Sequence, residues 1–126
     1  MSDECELMRK IVRDAFWKVA YHEWELSRAH KFLAVAHALV GRTEMQVTEK
    51  EAHEAYNDHE EEEDCETPTT LLAYTLGCAM HRIDYHEAEL REGHNNLAQA
   101  KALALRAGIE MPLAEIEAEQ RKRVAG

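Results

Sequence analysis

The chain has little glycine, proline or aromatic character. Its 126 residues include 5 glycines and 2 prolines, and aromatic residues make up 6%. Glycine and proline concentrate in turns and loops, so their scarcity favours long helices over a sheet with many turns. Hydrophobic residues still make up 45% and charged residues 32%, a balance typical of a folded chain. The length is that of one domain, and we expect residues 1–126 to form a single helical domain.

Paired cysteines and long apolar runs are missing as well. Cys5, Cys65 and Cys78 are odd in number and lack zinc-type spacing, which predicts free thiols in a reducing compartment. No stretch approaches the roughly 18–20 apolar residues of a membrane span. The first ten residues lack the apolar core of a signal peptide. We therefore expect a cytoplasmic protein that does not contact a membrane.

Positive charge is in deficit. The chain has 15 lysines and arginines against 25 acidic residues, for a formal net charge of −10. Such a surplus repels nucleic acids and anionic lipids, so we expect no direct nucleic-acid binding. The same charge suits a basic protein partner, including one that itself binds nucleic acid.

The chain contains a copy of part of itself. Residues 21–39 read YHEWELSRAHKFLAVAHAL and residues 85–103 read YHEAELREGHNNLAQAKAL, with 11 of 19 positions identical at an offset of 64. Such repetition predicts one helix used twice, in equivalent places of one bundle. Apolar residues at alternating spacings of three and four extend the repeat over 8–40 and 72–104, as in a coiled-coil seam.

Capping signals predict the helix ends. The first long helix should begin after Ser2 as the N-cap and stop at Gly41. The second should begin with Thr67 as the N-cap and Pro68 as its first residue, and stop at Gly108.

The acidic connecting segment 43–66 lies between the long helices. It predicts a short helix over about 44–60, with Thr48 and Glu51 at capping-box spacing. The acidic run that follows predicts a frayed helix end and a solvated loop.

These elements predict an all-α fold, an elongated helical bundle of two long duplicated helices plus one or two shorter ones. A short C-terminal helix should span 112–124, with Gln120 interrupting its apolar stripe. The apolar faces of the long helices are wider than a two-stranded coil requires, so we expect self-association, most simply a twofold dimer. The pattern leaves open whether the two long helices run parallel or antiparallel.

A His-x-x-Glu motif occurs in both copies, as His22 with Glu25 and as His86 with Glu89. Positions i and i+3 share one helix face, so all four side chains would surround one site if the copies face each other. Two imidazoles and two carboxylates suit zinc, iron or manganese. We favour the interpretation in which the protein has no cofactor and these histidines pack in the seam, set its register or respond to pH.

Two stretches are candidate partner-binding surfaces. Trp17, Tyr21 and Trp24 form an aromatic strip in the first copy only, and aromatic residues are common anchors in interfaces. Burial of this strip against a shorter helix is the alternative. The second candidate is the acidic run, from which we select Asp58, Glu60, Glu61, Glu62 and Glu63.

No catalytic motif is evident. The sequence lacks a glycine-rich phosphate loop, a serine–histidine–aspartate signature and a cysteine nucleophile with an orienting group. We therefore predict a protein-interaction or regulatory protein without catalytic activity. One form of it is an inhibitor of a basic or nucleic-acid-binding partner, of the kind that phages encode. A metal-binding bundle and a structural subunit of a larger assembly are the alternatives.

Overall fold

A computed structural model describes residues 2–126, apart from the side chain of Glu63. The described chain contains two long helices and two short ones, without a strand, so the predicted all-α class is confirmed. None of these described helices is both long enough and apolar enough to cross a membrane. In chain order the helices are α1 (Asp3–Thr43), α2 (Glu49–Asp58), α3 (Pro68–Arg106) and α4 (Leu113–Ala125), with one 3-10 turn (Glu62–Asp64) before α3.

The chain divides into two compact units. The first combines α1 as far as Glu25 with His86–Gly126, and the second is Leu26–Tyr85. Each unit therefore contains one segment of α1, one segment of α3 and one short helix. The short helix is α4 in the first unit and α2 in the second. No signal in the sequence distinguished these two units.

The long helices run antiparallel within each unit. In the first unit the backbone of Gly93 faces Val19, and His22 lies against His86, so later residues of α1 meet earlier residues of α3. The same order holds in the second unit, where one groove is lined by Leu33, His37, Leu76 and Met80 and another by Leu39, Thr43, Pro68, Leu71 and Leu72. The question that the sequence left open is thus settled.

The duplication extends to the short helices. α2 begins at Glu49 and α4 at Leu113, which is the same offset of 64 that relates the long helices. The residue with a left-handed backbone after each long helix also repeats, since Glu44 has φ 59° and Gly108 has φ 68°. Each half of the chain is therefore a long helix, a left-handed residue and a short helix. Sequence comparison detected only the long helices because the side chains of the short ones differ.

Local hydrogen bonds confirm three of the predicted helix ends. The hydroxyl of Ser2 accepts from the N–H of Cys5 at 3.2 Å, and the hydroxyl of Thr67 accepts from the N–H of Thr70 at 3.1 Å. After α3, Gly108 takes the left-handed conformation as predicted. These contacts satisfy groups that a helix leaves unpaired at its termini.

Two other ends differ from the prediction. α1 passes through Gly41, where an added Cβ would meet nothing within 4 Å, and ends at Thr43. The hydroxyl of Thr43 donates to the carbonyl of Val40 at 2.9 Å, and the left-handed Glu44 then turns the chain away. α2 begins only after the Thr48 capping box, so it is shorter than the predicted 44–60.

Gln120 belongs to the core of the first unit and does not interrupt it. The side chain is 0% exposed, and its Oε1 accepts a hydrogen bond from Nη1 of Arg123 at 2.8 Å. α4 is buried at this position because Ile116, one turn earlier, lies in the main apolar cluster of the unit. That cluster also contains Met8, Val12, Ala15, Phe16, Val19, Leu97, Ala100 and Ala104.

Candidate functional site

The two His-x-x-Glu motifs meet inside the first unit. His22 and His86 are 7% and 6% exposed, and their Nδ1 atoms lie 3.0 Å apart. Both histidines occupy the seam of a long helix, and the antiparallel arrangement brings equivalent positions of the two copies face to face. Each histidine therefore contacts its own repeat equivalent, as residues on a local twofold axis do.

The glutamates of the two motifs cross over. Nε2 of His22 lies 3.9 Å from Oε2 of Glu89, and Nε2 of His86 lies 3.7 Å from Oε2 of Glu25. Each imidazole thus directs one nitrogen at the other ring and the opposite nitrogen at a carboxylate of the other copy. The four predicted residues form one centre, with a pairing that their spacing within each motif did not reveal.

The contact between the two rings restricts their protonation. At 3.0 Å one Nδ1 must donate its hydrogen and the other must accept it. Two imidazolium rings would oppose two N–H groups at this distance, so the contact accommodates at most one of them. Burial and the neighbouring His86 lower the pKa of His22, and they outweigh the opposite influence of Glu89.

A lysine connects this centre to the surface. Nζ of Lys18 lies 3.4 Å from Oε2 of Glu89 and 3.3 Å from Oε1 of Glu92. Burial alone would lower the pKa of Lys18, but the two carboxylates raise it. Glu89 is therefore shared between a lysine and His22. The ring of Tyr21 meets His22 edge-on, with centroids 5.1 Å apart.

The predicted metal site is only partly assembled. The carboxylates approach the Nε2 atoms, whereas the Nδ1 atoms face each other, so the donor atoms do not converge on one point. Across the described residues, no group of three or more histidine, cysteine, aspartate or glutamate side chains is arranged to hold an ion. Binding of zinc, iron or manganese at His22, Glu25, His86 and Glu89 would require the rings to turn, and it stays a prediction.

The aromatic strip is half exposed in the first unit. Trp17 and Tyr21 stack with their centroids 4.9 Å apart, and Trp17 and Trp24 are 38% and 40% exposed. Trp24 also borders a groove of about 250 Å³ between α1 and α4. One wall of this groove is an ion pair of Glu23 with Arg121 at 2.7 Å. The strip thus keeps part of its surface exposed, and Trp24 lies beside α4.

Comparisons with models of protein families, with curated proteins and with solved structures gave no significant match.

The acidic run forms an ordered turn in the second unit. Oδ2 of Asp64 accepts from the backbone N–H groups of Glu60 and Glu61, both at 3.1 Å. The hydroxyl of Tyr74, on α3, donates to the carbonyl of Glu60 at 3.0 Å. The sequence predicted a frayed helix end here. Instead α2 ends at Asp58, and the following residues form the hydrogen-bonded turn. Exposed side chains here are Asp58, Glu60, Glu61 and Glu62, and the side chain of Glu63 lies outside the described residues.

Two thiols lie beside the tyrosine that holds this turn. Cys65 and Cys78 pack against the cluster that contains Tyr74. A hydrogen bond with Cys78, together with burial, raises the pKa of Tyr74 to about 12. Burial and the acidic neighbours raise the pKa of the Cys65 thiol, which disfavours the reactive thiolate. Sequence reasoning missed this cluster, although Tyr74 and Cys78 are one helical turn apart.

Proposed function

We propose that the protein is a regulatory protein without catalytic activity that binds a basic protein partner through its second unit. The observation that carries this proposal is the location of the charge. Eleven of the 25 acidic residues and one of the 15 basic residues lie between Glu44 and Glu66. This segment alone accounts for the formal net charge of −10, and the rest of the chain has fourteen residues of each sign. Local charge of this size attracts an oppositely charged surface.

The order of the acidic turn supports this proposal. The contacts of Asp64 and Tyr74 hold the backbone of the turn before any partner arrives. Binding then costs less conformational entropy than it would in a disordered acidic tail. A partner that uses a basic surface for nucleic acid would have that surface covered, which is the inhibitory form of the proposal.

Charge-matched variants test the proposal. In the test variant Glu60, Glu61 and Glu62 become glutamine, and in the control the exposed Glu110, Glu115 and Glu119 do. Both lose the same charge and keep Asp64. We expect affinity capture from cells of the source organism, read by mass spectrometry, to retain one basic protein on wild type and control. The test variant should lose it.

Salt provides the second measurement. Because exposed charges are screened, the captured protein should elute below about 0.5 M salt. Retention above that concentration, or equal retention by both variants, would contradict a charge-driven contact.

We also propose that the chain forms a twofold dimer. Its accessible surface is 8621 Å², whereas a monomer of 14.5 kDa typically exposes about 6,900 Å². The first unit is the better interface because its thirteen acidic and ten basic residues nearly balance, against twelve and five in the second. A groove of about 470 Å³ crosses it, lined at positions i, i+3, i+4 and i+7 of both helices by Ile11, Asp14, Ala15, Lys18, Asn96, Gln99, Ala100 and Leu103.

Light scattering tests the dimer. Leu103→Glu in this groove should give a monomer, and Val35→Glu in the second unit should not. A monomeric wild type would contradict the proposal. A ring or filament would instead favour the structural-subunit alternative.

Metal binding is the second candidate function, favoured by the gathering of His22, Glu25, His86 and Glu89 in one centre. Elemental analysis of untagged protein should then show near-stoichiometric zinc, iron or manganese. His22→Ala should remove the metal. Metal-free protein with an unchanged melting temperature in chelator would eliminate this candidate.

A further inference from the structure

We infer that Cys65 and Cys78 form a dithiol site that is reversibly oxidised to a disulfide, and that this disulfide fastens the acidic turn to α3. The inference deepens the proposed function and rests on it, because it names a regulation of the surface that binds the basic partner. Formation of the disulfide is measured without that partner, so each of the two proposals fails by its own experiment.

Both thiols lie on one small cluster of the second unit. Cys65 and Cys78 are half-buried, and they pack against the buried residues Ala55, Ala73 and Tyr74. Cys78 follows Tyr74 by one turn of α3, so the two side chains share one face of the helix. A hydrogen bond joins the thiol of Cys78 to the hydroxyl of Tyr74.

The acidic turn brings Cys65 to the same tyrosine. The hydroxyl of Tyr74 donates to the carbonyl of Glu60 at 3.0 Å, at the start of the turn. Cys65 ends the turn, and its backbone N–H donates to the carbonyl of Glu62 at 3.1 Å. Cys78 is also one of the groups that raise the pKa of Cys65, so the two thiols act on each other. The two sulfur atoms therefore belong to one local site.

The repeat shows that the shared framework does not require this site. The equivalents of Tyr74 and Cys78 at an offset of 64 are Lys10 and Asp14. Those two residues form an exposed ion pair at 2.9 Å. A half-buried thiol at position 78 is thus particular to the second unit, which is the unit with the acidic turn.

The oxidant that we propose is a low-molecular-weight disulfide such as oxidised glutathione. Because burial and acidic neighbours raise the pKa of Cys65, the thiolate of Cys78 makes the first attack. It breaks the sulfur–sulfur bond of glutathione, forms a mixed disulfide and releases one glutathione thiolate. The thiolate of Cys65 then attacks the sulfur of Cys78 and releases the second glutathione. The two cysteines lose two electrons and two protons, and the two glutathione molecules gain them.

The disulfide changes how the turn opens. It attaches the end of the turn to α3 at a second point, one helical turn from the contact of Tyr74 with Glu60. A covalent tether removes conformations from the opened turn, so opening becomes rarer. Four backbone N–H groups with hydrogen bonds inside the turn report this opening, those of Glu60, Glu61, Asp64 and Cys65.

Mass spectrometry of the folded, full-length chain in oxidised glutathione tests the bond. Wild type and the control Cys5→Ser should each lose two hydrogens. Cleavage after glutamate separates Cys65 from Cys78 at Glu66, so it should release two peptides joined by the disulfide. Cys65→Ser should instead accumulate a glutathione adduct on Cys78. Three free thiols in wild type, adducts without an internal disulfide or a bond to Cys5 would overturn the inference.

Amide hydrogen exchange tests the effect on the turn. In the disulfide form the four reporter N–H groups should exchange about tenfold or more slowly than in the reduced form. Amides of α4, in the first unit, should exchange alike in both forms. Cys78→Ser should exchange at the reduced rate with or without oxidised glutathione, and circular dichroism can verify that it folds. Equal rates in oxidised and reduced wild type would overturn the inference.

Affinity capture separates this inference from the proposed function. Oxidised wild type should retain the basic protein at higher salt than reduced wild type, because a fastened turn loses less conformational entropy on binding. Cys78→Ser should show no such difference. If the disulfide forms and slows exchange but neither form retains a basic protein, the proposed function fails and the disulfide stands. If reduced wild type retains the protein and no disulfide forms, the function stands and this inference fails.

Discussion

The two units build their cores differently on one duplicated framework. Ile116 of α4 and Ala52 of α2 are repeat equivalents, and they are 1% and 0% exposed. In the first unit a large side chain fills the space under the short helix. In the second unit Ala52 lies so close to α3 that only Gly77 leaves room for its backbone, whereas the first unit has Arg13 at the position equivalent to Gly77. A short helix can thus be held by side-chain volume or by close backbone approach.

The units also differ in what they leave exposed. The first has one continuous cluster of nine buried residues and nearly balanced charge. The second has two clusters of three buried residues each, and it contains the acidic turn and the exposed apolar side chains of Phe32, Val35, Leu39 and Leu71. The second unit therefore has the smaller core and the larger share of exposed acidic side chains, which suits a unit that binds. The fuller core of the first suits a unit that stabilises the fold.

Among the variants that test this difference between the units, loss of the large side chain of Ile116 should lower the free energy of unfolding most. Ile116→Ala leaves a cavity in the first unit, and we expect it to lower the free energy of unfolding by about 2–5 kcal/mol in denaturant titrations. Leu105→Ala is the control, since Leu105 is 82% exposed, and it should stay within about 0.5 kcal/mol. Equal effects of the two would mean that α4 is not held by Ile116.

Addition of one methyl group should disturb the second unit. In Gly77→Ala the new Cβ would collide with the carbonyl oxygen of Ala52 and lie 2.9 Å from Cβ of Tyr56. We expect a loss of about 1–3 kcal/mol and a shift of α2, visible in amide hydrogen exchange. Gly41→Ala, with nothing within 4 Å, should be neutral or should stabilise by up to about 1 kcal/mol. A harmless Gly77→Ala would refute the close approach.

The left-handed residues offer a smaller test in both halves of the repeat. Gly108→Ala should cost about 1 kcal/mol, because a Cβ is disfavoured at φ 68°. Glu44→Gly, at φ 59° in the equivalent position, should be neutral or should stabilise by a similar amount. Thermal melts should show a lower melting temperature for Gly108→Ala and an unchanged or higher one for Glu44→Gly. Shifts of the same sign would argue against equivalent turns.

The smallest expected effect is the pH dependence of the histidine centre. The folded chain lowers the pKa of His22 below its ordinary 6.5, so the unfolded chain takes up this proton more readily. Protonation of His22 therefore favours the unfolded chain. The stability of the folded chain is not reduced by this group above pH 6.5, and it falls as the pH drops from 6.5 toward the folded-state pKa. Denaturant titrations of wild type should therefore show falling stability as the pH drops below about 6.5, and His22→Gln should lose less. His30→Gln, an exposed site, should behave as wild type.

Much of the local structure is readable from the sequence. Ser2, Thr67 and Gly108 mark helix ends because a cap depends on atoms within a few residues. The predicted end of α1 at Gly41 was wrong because glycine permits a helix to stop without requiring it. The helix ends at Thr43, whose hydroxyl donates to the carbonyl of Val40. The expectation that Gln120 interrupts the apolar stripe of α4 was wrong because polarity alone does not reveal that neighbouring residues bury a side chain.

The candidate centre was predictable in its members and not in its pairing. The repeat singles out His22 and His86, together with a glutamate three residues after each. Spacing along one helix cannot state that each histidine faces the glutamate of the other copy, because that depends on helix direction. The acidic turn likewise depends on a contact outside its own segment, the hydrogen bond from Tyr74 to Glu60.

By itself, the sequence determined the helical class, the duplication, the long seams and most of the caps, since periodicity and capping act over one or two turns. Only the tertiary structure decided the antiparallel direction, the meeting of His22 with His86, the close approach of α2 at Gly77 and the anchoring of the acidic turn by Tyr74. Those features join residues far apart in the chain, and their free energies come from contacts that no local pattern records.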